Sequence, residues 1–106
     1  MPSAEQQFAQ LVETLSKNKN IVSSQMFGKQ CLKVKGKAFL ALHKNALVFK
    51  LTGEEHKKAM SNKDAALWDP SGKGRPMKEW VAIPAENLGN AMLFANQALN
   101  FVSQSA

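Results

Sequence analysis

Ser71-Gly72-Lys73-Gly74-Arg75 is the segment whose residue types come nearest to a recognisable chemistry. Two glycines let backbone N–H groups turn inward together, and Lys73 and Arg75 add positive charge, the combination by which a backbone nest holds phosphate. The segment is not a Walker loop. The four-residue spacer and the Ser or Thr after Lys are missing, and a strand follows it where that loop needs a helix. A basic hairpin loop between Trp68 and Met77 would use the same residues with no ligand at all.

The other cations gather along the chain in a similar way. Lys29, Lys33, Lys35, Lys37, Lys44 and Lys50 crowd the first strands, while Lys73, Arg75 and Lys78 mark the last hairpin. Lys73, Arg75, Lys78, Lys33 and Lys35 are the expected anion contacts. Thirteen of the fourteen cations are Lys, which meets phosphate as a point charge and reads bases poorly. No helix carries the Arg, Asn or Gln face of a recognition helix, and without Tyr no strand interleaves aromatic and basic residues as an RNA-binding sheet does. Any nucleic-acid binding is expected to be weak, salt-sensitive and non-specific. The alternative is a solvated surface that promotes solubility.

Other chemistries lack their residues. His43, His56 and Cys31 are the only soft or borderline metal ligands, and no pair has ligand spacing. Cys31 is expected to be a small inert core residue rather than a nucleophile. Glu54, Glu55 and Glu86 belong to helix starts, which leaves Asp64, Asp69 and Glu79 scattered without a catalytic dyad. No catalytic residue, metal or cofactor is expected.

The 106 residues are enough for one domain. Hydrophobic residues make up 44% and charged residues 21%, which excludes a disordered or fibrous chain. The formal charge of +6 favours polyanions as partners. One cysteine excludes a disulfide framework and fits a reducing, cytoplasmic setting. The longest apolar runs, Ala38 to Leu42 and Ala91 to Ala95, are too short to span a membrane, and the first residues lack the pattern of a secretion signal.

These residues need elements to position them. Ser3 and Gln6 form a capping box, after which Phe8, Leu11, Val12 and Leu15 fall on one helical face. Ile21 to Phe27 is a weaker strand candidate. Gln30 to Val34 and Lys37 to His43 flank a Lys35-Gly36 turn, and Lys44-Asn45 turns the chain into Ala46 to Leu51, with Asn45 suited to positive φ. Those turns set Cys31 opposite Leu40, and Leu40 opposite Phe49. One sheet face then carries Cys31, Leu40, Leu42, Leu47, Phe49 and Leu51. The other carries Leu32, Val34, Phe39, Ala41 and Val48, too apolar for a wet face, so a helix, a subunit or a ligand is expected to cover it.

Thr52 to Glu55 is a second capping box, opening a short surface helix to about Asn62. Ala65 to Trp68 and Met77 to Ile83 are strands. Pro84 opens the last helix, in which Leu88, Ala91, Met92, Ala95, Ala98, Leu99 and Val102 share one side, Phe94 and Phe101 widen it, and Leu93 points away. The fold class expected is α+β, a single two-layer domain over residues 1–106. Its order is α-β-β-β-α-β-β-α around a twisted antiparallel sheet.

Met26-Phe27-Gly28, Gly36-Lys37-Ala38-Phe39 and, above all, Gly74-Arg75-Pro76-Met77-Lys78-Glu79-Trp80-Val81 with Ile83-Pro84 form a recognisable pattern. Through these motifs the chain, from about Phe8 to Val102, resembles the amino-terminal domain of the TfoX/Sxy competence-regulator family of bacteria. The resemblance implies a secretion-chaperone-like fold that often dimerises, a role beside transcription machinery, and no catalytic residues. Full-length regulators of the family carry a second domain that these residues do not include. Many members also have a Gly-Tyr-Gly-Leu-Tyr-like stretch where this chain has Lys29-Gln30-Cys31-Leu32-Lys33.

The leading expectation is a non-enzymatic regulatory binding module, a homodimer, contacting nucleic acid through its lysines. The alternative is a protein-interaction adaptor, a chaperone-like dimer with no nucleic-acid role. Leu32, Val34, Phe39, Val48, Phe94 and Phe101 are the expected dimer or partner face.

Overall fold

In the computed structural model the described residues are 3–18, 20–26, 28–69, 74, 77–87 and 91–104. The chain runs α1 (Ala4–Leu15), β1 (Ile21–Met26), β2 (Lys29–Val34), β3 (Lys37–His43), β4 (Ala46–Lys50), α2 (Gly53–Met60), β5 (Ala66–Trp68), β6 (Met77–Pro84), a 3-10 turn (Ala85–Asn87) and α3 (Ala91–Gln104). All four extended segments between the first two helices are strands, one more than the three counted in the expected order. The sheet is antiparallel throughout, in the order β1-β2-β3-β4-β6-β5. The α+β class holds.

The Ser3 capping box forms as expected: the Gln6 N–H donates to Ser3 Oγ at 3.1 Å and the Ser3 N–H to Gln6 Oε1 at 3.0 Å. Phe8, Leu11 and Leu15 then face the core. The second capping box does not form. Gly53 enters α2 at φ 62, in the left-handed region, and the Thr52 side chain makes no cap bond. As expected, α2 is a short helix on the surface, with most of its residues exposed, and it is fastened to the sheet. Its Ala59 is fully buried, and His56 Nε2 donates to the Lys78 carbonyl at 2.8 Å. Pro84 ends β6 opposite Ala46 instead of opening a helix, and the 3-10 turn intervenes before α3. Leu88, like Phe27, lies outside the described residues.

The β2–β3 register departs from expectation at one residue. Lys33 pairs with Ala38 but Leu32 pairs with Leu40, so Phe39 is the extra residue of a bulge in β3. Beyond it Cys31 lies opposite Ala41, not Leu40, while Leu40 opposite Phe49 is as expected. The bulge moves Leu32, Val34 and Phe39 onto the helix-facing side. There they join Leu40, Leu47, Phe49 and Leu51 under α1 and α3, and Cys31 passes to the other face. In the β3–β4 turn the left-handed residue is Lys44, at φ 53, rather than Asn45.

The expected partner face is therefore interior. Leu32, Val34, Phe39 and Phe94 are buried in the helix-facing core, with the half-buried Phe101 packed against it. Val48 is buried beneath the opposite face. Leu93 is exposed, as its place on the helix wheel requires.

Candidate nucleic-acid interface

The face of the sheet away from the helices is built on a row of small residues. Ser24, Cys31, Ala41, Val48, Ala82 and Ala66 are successive cross-strand partners from one edge to the other. Small side chains leave room above them, and two indoles use it. Trp68 and Trp80 pack with Cys31, Ala41 and Val48 in a second cluster, their ring centroids 5.4 Å apart. Trp68 meets His43 edge-on at 6.0 Å, and Lys50 Nζ stands 5.9 Å from the Trp80 centroid. The cover expected from a helix, a subunit or a ligand is thus supplied by the chain's own tryptophans.

Lysines flank this cluster. Lys29 and Lys33 stand two residues either side of Cys31 on β2, so period-2 alternation puts all three on this face. Lys35, exposed at φ 53, begins the adjoining turn, and Lys44 the turn at the sheet's other end. Between Glu13 and Glu54 the chain has eight lysines and no Asp or Glu, and that stretch folds into the four neighbouring strands β1 to β4. This half of the sheet presents positive charge with no acid of its own.

That field acts on the two groups beneath it. Burial pushes the Cys31 thiol up from its ordinary pKa, and the charge of Lys33 opposes this to a smaller extent. Burial likewise pushes the His43 imidazole down, with the charges of Lys29 and Lys44 acting in the same direction. The His43 Nδ1 is buried without a hydrogen-bond partner among the described residues. Cys31 is 1% exposed, which makes it the inert core thiol expected of it.

Of the five expected anion contacts, the three among the described residues do not form one site. Lys33 and Lys35 lie together at one end of β2. Lys78 is exposed on β6, three strand positions away, or about 14 Å. Lys73 and Arg75 lie outside the described residues. Within their hairpin the Gly74 N–H already donates to Asp69 Oδ2 at 2.8 Å, so one of the donors a nest would offer an anion is engaged by a carboxylate. The sequence pattern undervalued Lys29 and Lys50 on this face, and it missed Trp68 and Trp80 as its cover. The signal for Lys29 was its two-residue offset from Cys31. For the tryptophans there was none, because they come from the far hairpin.

Among the described residues, no group of three or more His, Cys, Asp or Glu comes together to hold a metal ion, and no helix is long and apolar enough to cross a membrane. Comparison with protein-family models, with curated proteins and with solved structures finds no match to this chain.

Proposed function

We propose that this chain is a non-enzymatic binding module whose cationic half-sheet, β1 to β4, holds the phosphate backbone of a nucleic acid weakly and without reading its sequence. The observation that carries the reading is the acid-free run from Lys17 to Lys50, folded into four adjacent strands. Lysine suits backbone contact and gives little base readout. Trp68 and Trp80 are only 2% and 4% exposed, so neither offers the open ring on which single-stranded bases stack. The resemblance to TfoX/Sxy regulators accords with a regulatory, cytoplasmic role.

The test is a filter-binding titration against duplex and single-stranded DNA and RNA across salt. Binding should weaken steadily with salt, and replacing Lys29, Lys33 and Lys35 by Gln should lower the log–log slope for duplex DNA by about 2–3. No binding at low salt, or a slope unchanged by the triple variant, would refute the reading.

One feature favours the adaptor alternative, the open edge of β1. A homodimer fits either function, and its interface would have to lie outside the buried residues first nominated for it. Light scattering over a range of concentrations reads the assembly directly.

A further inference from the structure

β1 is the first strand of the sheet and, among the described residues, pairs on one side only, with β2. Natural proteins guard such an edge with a charge, a proline or a bulge. Ile21-Val22-Ser23-Ser24-Gln25-Met26 contains no charge and no proline, and its register with β2 is unbroken. Val22 is 59% exposed, and Ser23 and Gln25 are exposed on the other face. The opposite edge, β5, is only three residues long with an irregular register. Of the two edges, β1 is the longer and the less protected.

Both faces beside β1 are shaped for something. On the helix side α1 packs over β3 and β4, leaving a groove of about 520 Å³. Glu5, Phe8, Ala9 and Val12 form one wall of it, and Ser23, Gln30 and Leu42 its floor, so the groove side carries the one nearby acid and suits the apolar side chains of a partner rather than its carboxylates. On the opposite side the neighbouring strand presents Lys29 and Lys33, with no acid anywhere in β1 to β4.

We propose that the free edge of β1 takes up an extended acidic segment of a partner protein as an added strand. Strand alternation would send its apolar side chains into the groove against α1 and its carboxylates towards Lys29 and Lys33. The added strand would lie about 4.8 Å from β1 and about 9.6 Å from β2. Lys33 stands opposite Val22 and Lys29 opposite Met26, either side of the small Ser24–Cys31 pair, so each lysine would meet a glutamate by reaching diagonally over Ser24. A second copy of this chain is the poorer occupant, because pairing β1 with β1 would join two acid-free lysine sheets. The proposal shares Lys29 and Lys33 with the nucleic-acid reading, but its readout, protection of the β1 backbone, is separate from it.

The test uses a capped ten-residue peptide of alternating valine and glutamate, and its valine–lysine counterpart, each with a fluorescent label. Anisotropy should show saturable binding of the glutamate peptide, with the lysine peptide at least about tenfold weaker. Hydrogen exchange should show that alternate amides within Val22–Gln25 gain protection on binding. Ala9→Trp, on the exposed side of α1, should fill the groove and weaken binding about tenfold while the fold is kept. Lys29→Glu with Lys33→Glu should reverse the preference between the two peptides. Equal binding of both peptides, no binding, or protection appearing elsewhere than β1 would overturn the proposal. So would β1 protection that rises with protein concentration in the absence of peptide, which would assign the edge to a second copy.

Discussion

Phe39 and Leu40 are consecutive residues of β3, yet both are fully buried in the same helix-facing core. Regular strand geometry sends neighbouring side chains to opposite faces. The bulge between the Lys33–Ala38 and Leu32–Leu40 pairs removes that alternation at one point and aims both residues under α1 and α3.

Phe39→Ala should therefore behave as a core truncation, costing about 3–5 kcal/mol. Urea denaturation measures it, read as a lowered midpoint at constant slope. A loss below about 1 kcal/mol would place the ring outside the core.

His43 makes stability depend on pH. Burial, helped by the charges of Lys29 and Lys44, holds its pKa below the ordinary imidazole value, so the folded chain takes up a proton less readily than the unfolded one. Below about pH 6.5 the unfolded state binds more protons, and stability must fall as pH falls. Thermal melts should show Tm declining between about pH 7 and pH 5.5, with His43→Phe flattening the decline. A wild-type Tm that rises on acidification would contradict the geometry around this ring.

Cys31 should be silent in the native state. Its thiol is covered by the tryptophan cluster, and its pKa is raised by burial more than Lys33 lowers it, so little thiolate forms and reagents cannot reach it. Thiol titration with a chromogenic disulfide at mildly alkaline pH should give almost no fast reaction, then one full equivalent in concentrated urea. A fast native reaction would show that Trp68 and Trp80 open readily from the sheet.

Local chemistry was legible in the sequence where partners are close along the chain. Ser3 and Gln6 sit three apart, and their reciprocal bonds follow from that spacing. Thr52 and Glu55 share the spacing, but Gly53 takes a left-handed conformation that no pattern announces, and the second box fails. The Lys35-Gly36 turn was readable, with both residues at positive φ. The Phe39 bulge was not, because one extra residue leaves no mark on composition and yet exchanges every inner and outer residue of β2. The lysines of the candidate face could be counted from the sequence. Their cover could not, since Trp68 and Trp80 reach them only through the pairing of β6 with β4.

The Asp69–Gly74 bond decides how the last hairpin can take part in binding an anion. Asp69 Oδ2 occupies the Gly74 N–H at 2.8 Å and places a negative charge in a loop that also holds Lys73 and Arg75 in its sequence. Asp69→Asn removes the charge but keeps an oxygen able to accept the N–H, whereas Asp69→Ala removes both. If the hairpin adds only to the general field, the two variants should raise affinity for duplex DNA equally, by about twofold at low salt, with the gain vanishing as salt is added. That equal gain is the outcome expected, because the acid-free half-sheet lies elsewhere. An alanine variant binding about tenfold more tightly than the asparagine one would instead show that the freed backbone N–H groups grip phosphate as a nest, and would move the main contact from the sheet to the loop.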